Sequence, residues 1–192
     1  MGVATRRIHV VAPMAFWGHG PSETCYNIVS HWPALGAAVR VHTSLADRAD
    51  PAGVLAPAVP RWLPRPVKAQ LAGRFTPRLF RMAEAQALRA LRRGDVCYLW
   101  PGATAATAAA ARAKGAVVVQ EFINTHIAFA RDIMAAECAR LGVPLPAHFS
   151  DDLIAYERAR LDAADFVFAP GPFVGASIRA HHGGGFGILE AA

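Results

Sequence analysis

Cysteine is scarce in this chain. Cys25, Cys97 and Cys138 are the only three in 192 residues, far apart and without a C-x-x-C pair. That spacing argues against a disulfide framework or a structural zinc site, and makes each thiol a small buried hydrophobe in a reducing cytoplasm by default. Long apolar runs are missing too. The longest, Ala103 to Ala111, is alanine-rich and closed by Arg112, well short of the roughly 18–20 apolar residues a membrane-spanning helix needs. The basic start Thr5-Arg-Arg7 suggests a signal peptide, but His9, Pro13, Gly18 and His19 interrupt the apolar stretch behind it. The eight histidines form no HExxH and no spaced pair on a helix face, so no metal is expected. His182-Gly-Gly-Gly185 has the lettering of an esterase oxyanion loop, yet no G-x-S-x-G elbow accompanies it.

Acidic residues are short in one place. The net charge is +6, and between Arg61 and Arg93 nine basic residues face a single acid, Glu84. Trp62, Leu63, Leu71, Phe75, Leu79 and Phe80 are interleaved with them. Three explanations stand: a solvated helix face with arginines lying over apolar surface; attraction to an anionic membrane surface or lipid phosphate, through Arg74, Arg78 and Arg81; or nucleic acid, disfavoured because no RNA- or DNA-binding motif is present. Glu121 to Asp165, by contrast, carries eight acids and four bases.

The apolar segments alternate with helical ones. Ile8–Pro13 reads as a buried strand, followed by the loop Met14–Pro21 and a helix N-capped at Ser22, with Glu23 at its positive end. Val39–Thr43 is the second strand. Residues 44–75, broken by Pro51, Pro57, Pro60, Pro64 and Pro66, are expected to be irregular. Thr76-Pro77 opens a helix to about Arg92, and Asp95–Trp100 is a strand. Helix 104–113, strand Ala116–Gln120, a polar loop, a long helix, an acidic helix and a further strand complete the series. This rhythm predicts an α/β domain built on a doubly wound parallel sheet.

Gly18-x-Gly20-x-x-Glu23 lies between a strand and a helix, as a dinucleotide-binding loop would. It lacks the third glycine, and no acid closes the second strand at Thr43-Ser44, so nicotinamide is disfavoured. Free N–H groups at that helix start could hold a phosphate, or the loop is only a flexible turn. His19 and His126 each follow the C-terminal end of a predicted strand, the edge where ligands bind in open α/β sheets, though each could also be an ordinary loop histidine.

Glu121-Phe-Ile-Asn-Thr-His126, together with Glu157-Arg-Ala-Arg-Leu161-Asp-Ala-Ala-Asp165 running into Phe-Val-Phe-Ala-Pro170-Gly-Pro-Phe-Val174, resembles the N-terminal half of GT-B glycosyltransferases of the family 4 type. The resemblance implies a single Rossmann-like sheet over residues 1–182 and a short atypical tail at 183–192. It implies Gly18, His19 and Gly20 against the donor phosphates, Glu121 and Asn124 as further substrate-binding residues, and His126 facing the reacting sugar as the catalytic residue. It further implies no cofactor and no metal, with a nucleotide-sugar as co-substrate and a sugar or lipid-linked acceptor. The location it implies is cytoplasmic, with peripheral attachment at the inner face of a membrane.

Two departures from the family are visible. Glycine stands at 171 where the family has serine, and no E-x7-E pair or donor-binding basic pair occurs. The donor-binding C-terminal domain is therefore expected to be absent from this chain, with a separate C-terminal half as its implied partner. The chain by itself is expected to be inactive. The alternative is a non-catalytic binding module from a degenerate or truncated paralogue; a nicotinamide-dependent oxidoreductase fragment ranks below both.

Overall fold

The computed structural model describes residues 6–191. Thr5 of the basic start and the outermost residues of the expected 1–182 domain and 183–192 tail lie outside the described residues. In chain order the elements are β1 (Arg7–Val11), β2 (Ala15–Phe16), α1 (Pro21–Val29), β3 (Ala38–Thr43), β4 (Leu45–Ala46), β5 (Leu55–Pro57), α2 (Arg65–Ala90), β6 (Val96–Leu99) and α3 (Ala105–Ala113). There follow β7 (Val117–Glu121), α4 (Ile127–Leu141), α5 (Asp151–Asp162), β8 (Phe166–Ala169), α6 (Pro172–His181) and β9 (Gly187–Glu190). Seven strands form a parallel sheet in the order β5-β3-β1-β6-β7-β8-β9, flanked by helices, so the expected Rossmann-like doubly wound α/β class holds. Two compact units divide between Val118 and Val119.

In the first unit, β1 is buried among neighbours on both sides, pairing with β3 and β6, and Val10 and Val11 are wholly out of solvent. An apolar run with no polar alternation is what such a central strand requires. Helix α1 buries Ser22, Cys25, Tyr26 and Val29, a stripe at helical spacing. Its N-cap is Gly20, not Ser22. Gly20 takes φ 67°, Pro21 supplies the first helical residue, and the Ser22 hydroxyl donates inward to the His19 carbonyl at 3.1 Å.

The stretch 44–75, expected to be irregular, is more ordered than its prolines suggest. β2 and β4 pair as a separate two-stranded ribbon, with Phe16 and Leu45 fully buried. β5 extends the main sheet beside β3. Helix α2 starts at Arg65 because Pro64 is its N-cap and Pro66 falls in the first turn, where a missing N–H costs nothing. Phe75 (φ −128°, ψ 18°) breaks that helix, and Pro77 begins its second half, at the start expected from the sequence. Glu84, the sole acid of the basic stretch, is buried and accepts from the Thr104 N–H at 2.7 Å, at the N-cap of α3. With it turned inward, the exposed face of α2 is left basic.

In the second unit, Gln120 and Glu121 pair with Val167 and Phe168 of β8. Helix α4 ends at Gly142 in the left-handed conformation; α5 is capped by Ser150 and carries Asp151 and Asp152 in its first turn, where the helix dipole favours them. Within the stretch expected as a tail, Gly187–Glu190 form β9, paired along the whole of β8. Glycine is needed at its start: a Cβ on Gly187 would lie 2.7 Å from Phe166 Cδ1. Arg179 donates to Glu190 at 3.0 Å and ties α6 to this edge strand.

Candidate functional site

Strand order reverses direction at β1. The chain leaves it toward β3 and β5, then returns to β6 on its other side. Loops at such a switch point diverge at the carboxyl ends of the strands and leave a crevice between them. Here that crevice is a cleft of about 390 Å³. Pro13 and Met14 line it after β1, Pro101 and Gly102 after β6, Trp17 from the ribbon strand's end, and Phe80 from α2. His19, Gly20 and Ser22 line it at the start of α1. The tryptophan wall is anchored from behind, since Trp17 packs against the buried cluster of Leu45, Val59 and Leu79 with Leu63 and Leu71.

Gly18, His19 and Gly20 are therefore gathered at one mouth, and all three are exposed. The helix start behind them has few free donors. Pro21 has no N–H, and the Glu23 and Thr24 N–H groups bond to the Gly20 carbonyl. Arg48 stands beside this loop: its Cβ would be 3.9 Å from a Cβ on Gly18. Its guanidinium pairs with Glu23 and lies 3.4 Å above the Tyr26 ring, while Asp50 accepts from the Tyr26 hydroxyl and from the Val54 and Leu55 N–H groups. A fixed carboxylate loop thus holds Arg48 beside the glycines.

Six of the nine basic residues of the stretch fall into two sets. Arg61 pairs with Asp50, Arg65 with Asp47, and the buried Lys68 donates to Asp47 at 2.9 Å and to the Arg61 carbonyl at 2.8 Å. These three hold the loop before α2. Arg74, Arg78 and Arg81 are exposed, and among the described residues they meet no carboxylate. Phe75 and Met82 stand exposed among them, and the Arg78 guanidinium is 5.9 Å from the Phe75 ring centre.

In the second unit, Glu121 is buried at the end of β7 and Asn124 is exposed in the loop beyond it. His126 is fully buried. It is the N-cap of α4: its Nδ1 accepts from the Ala128 N–H at 3.1 Å, and its own N–H donates to the Ser177 hydroxyl at 3.0 Å. Glu157 Oε2 is 3.5 Å from that Nδ1 and accepts from the Ile127 N–H at 2.6 Å. The first glutamate of the acidic-helix pattern thus covers the start of α4. With Nδ1 accepting, the neutral ring carries its proton on Nε2, which has no partner among the described residues. His181 stacks on the ring at 5.7 Å between centres. Burial, with His181, His182 and Arg158 nearby, lowers the His126 pKa to about 4. Burial raises that of Glu157.

His9 and His42, read as packed residues of strands, form a buried chain: His9 Nδ1 and His42 Nε2 are 3.0 Å apart, and His9 Nε2 is 3.4 Å from Asp95. Burial foremost, then His9 and Arg40, lowers the His42 pKa to about 3. Burial also pushes the Cys97 thiol up to about 12, so it is not a nucleophile at neutral pH. Among the described residues no group of three or more His, Cys, Asp or Glu side chains is placed to hold a metal ion, and no helix is long and apolar enough to cross a membrane.

Trp17 and Phe80 at the cleft, Arg48 beside Gly18, and Glu157 and Ser177 around His126 went unmarked in the sequence as site residues. A large aromatic inside the loop that follows the first strand was the available signal for Trp17. No protein-family model matches the chain, and no curated protein matches it.

Proposed function

We propose that these residues are the acceptor-side, N-terminal domain of a GT-B glycosyltransferase of the family 4 type, which moves a sugar from a nucleotide-sugar to an acceptor without a metal. The observation that carries this reading is the open cleft at the β1–β6 switch point, walled by the glycine loop on one side and α2 on the other. Glycosyl transfer builds positive charge on the sugar while negative charge gathers on the departing diphosphate. An acceptor-side domain contributes position: it holds the attacking hydroxyl at a fixed angle and keeps water from competing. In this reading Gly18, His19 and Gly20 meet the donor phosphates, with Arg48 beside Gly18, and the family resemblance gives Glu121 and Asn124 of the second unit a substrate-binding role. Exposed Arg74, Arg78 and Arg81, with Phe75 and Met82 between them, suit peripheral attachment to an anionic membrane face.

One observation favours the second reading, a non-catalytic binding module. His126 is fully buried and its Nδ1 is committed to α4, so it reaches no substrate in this conformation. Joining the chain to a donor-binding GT-B half and offering UDP- and GDP-hexoses tests the choice. Sugar transfer that Trp17→Ala and Gly20→Val abolish supports the enzyme. Ligand binding at the cleft without transfer by the joined chain supports the module.

A further inference from the structure

We infer that the β1–β6 cleft takes a neutral, flat aromatic compound carrying one hydroxyl, a phenol, with its ring against Trp17 and Phe80 and its hydroxyl at the His19 ring. This goes beyond both readings above, because the same occupant serves as a sugar acceptor or as the cargo of a binding module. Two aromatic rings, Trp17 and Phe80, line the cleft with the pyrrolidine rings of Pro13, Pro21 and Pro101 and the Met14 thioether. Among the described residues no Leu, Ile or Val lines it, and none of the lining residues is Asp, Glu, Lys or Arg. An ion entering the cleft would leave water with no opposite charge to meet it. An alkyl chain would gain apolar burial there and give up its bond rotations on entry. A flat ring is rigid before it binds. It also adds stacking or edge contacts with the indole and the phenyl, and a sulfur contact with Met14.

The polar groups of the cleft limit how many hydrogen bonds its occupant can make. Three backbone carbonyls there already accept: Met14 from the Thr43 hydroxyl and the Ser44 N–H, His19 from the Ser22 hydroxyl, and Gly20 from the Glu23 and Thr24 N–H groups. That leaves the His19 ring. It is exposed, it is the only titratable side chain among the lining residues, and it meets no partner among the described residues. A neutral imidazole offers one donor and one acceptor, and a phenol hydroxyl can use either. A sugar would bring several hydroxyls to that single ring and leave most of them unpaired. The walls are firm as well, since Trp17 is backed by the Leu45–Val59–Leu79 cluster and Leu79 directly precedes Phe80. The volume, about 390 Å³, lies within the ~300–1,000 Å³ of small-molecule sites.

The test titrates the 192-residue chain with 2-naphthol at neutral pH by calorimetry, with circular dichroism confirming that each variant is folded. Three ligands are compared with it: decahydro-2-naphthol keeps the skeleton and hydroxyl but is not flat, n-octanol is an alkyl chain, and naphthalene-2-sulfonate carries a charge. We expect saturable binding of 2-naphthol, with decahydro-2-naphthol and n-octanol weaker by about tenfold and the sulfonate weaker too. Trp17→Leu and Phe80→Leu, which keep an apolar wall and remove a ring, should each weaken 2-naphthol several-fold. His19→Ala should do the same, and His19→Gln, which keeps a donor and an acceptor, should recover part of the loss. Absence of saturable binding, equal affinity for decahydro-2-naphthol, or unchanged binding by both folded ring variants would overturn the inference. So would tighter binding of n-octanol or of the sulfonate, which would give the cleft to an alkyl chain or to an anion. Unchanged binding by His19→Ala would overturn the place assigned to the hydroxyl. Occupancy is read without sugar transfer, so a joined chain that binds 2-naphthol but transfers no sugar sinks only the enzyme reading. One that transfers sugar and ignores 2-naphthol sinks only this inference.

Discussion

His126 and Glu157 approach to 3.5 Å, and both serve the first turn of α4: the imidazole accepts from Ala128 N–H and the carboxylate from Ile127 N–H. The polar-loop histidine and the acidic-helix glutamate are thirty-one residues apart in sequence. The fold joins them at one helix end, satisfying two of the amides that helix geometry leaves unpaired.

Removing either acceptor should loosen that turn. His126→Ala and Glu157→Ala are each expected to cost about 1–2 kcal/mol in urea unfolding, with His126→Asn and Glu157→Gln milder because each keeps an acceptor. The double alanine variant should fall short of the sum, since both groups serve one turn. Full additivity, or no loss in either single variant, would separate the two residues.

Acid should unfold the chain by way of its buried histidines. The pKa values of His126 and His42 fall from 6.5 to about 4 and about 3. Between those values and 6.5 the unfolded chain binds more protons, so stability is complete above pH 6.5 and declines as pH falls toward 4, by up to about 1.4 kcal/mol per pH unit for each histidine. Glu157, with its raised pKa, contributes with the opposite sign. His126→Asn and His42→Asn should each flatten the curve of stability against pH between 4 and 6.5. An unchanged slope in both would contradict the burial assigned to them.

Charge removal on α2 should divide the basic residues by role. Arg74→Gln/Arg78→Gln/Arg81→Gln is expected to leave the melting temperature within a few degrees and to weaken co-sedimentation with anionic vesicles, which added salt should also weaken. Lys68→Ala should lower stability by about 1–3 kcal/mol, because it leaves the Asp47 carboxylate short of a buried partner. Vesicle binding that ignores both salt and the triple variant would count against membrane attachment.

The parallel sheet was legible because its strands are short apolar runs set between helical segments, and the β1–β6 reversal follows from that order. The first half of α2 was not. Pro64 and Pro66 read as breakers in sequence, yet at a cap and in a first turn they start a helix. β9 was hidden as well: Gly183 to Gly185 suggested a loose end, while Ile188 and Leu189 find their partners only in β8. For the site, the glycine loop was marked from its place between strand and helix. Trp17 and Phe80 lie more than sixty residues apart in sequence, and only the folded chain brings them to one cleft. His126 was legible by position and not by burial, because capping depends on Glu157 and Ser177 arriving from distant segments.

The most direct measurement is sugar transfer from UDP- and GDP-hexoses by the chain joined to a donor-binding GT-B half, with and without substitutions in the β1–β6 cleft. If that cleft is the acceptor site, the joined chain transfers sugar, and Trp17→Ala abolishes the transfer while circular dichroism shows the variant folded. No transfer at all, or transfer that the folded Trp17→Ala and Gly20→Val variants leave unchanged, would contradict it.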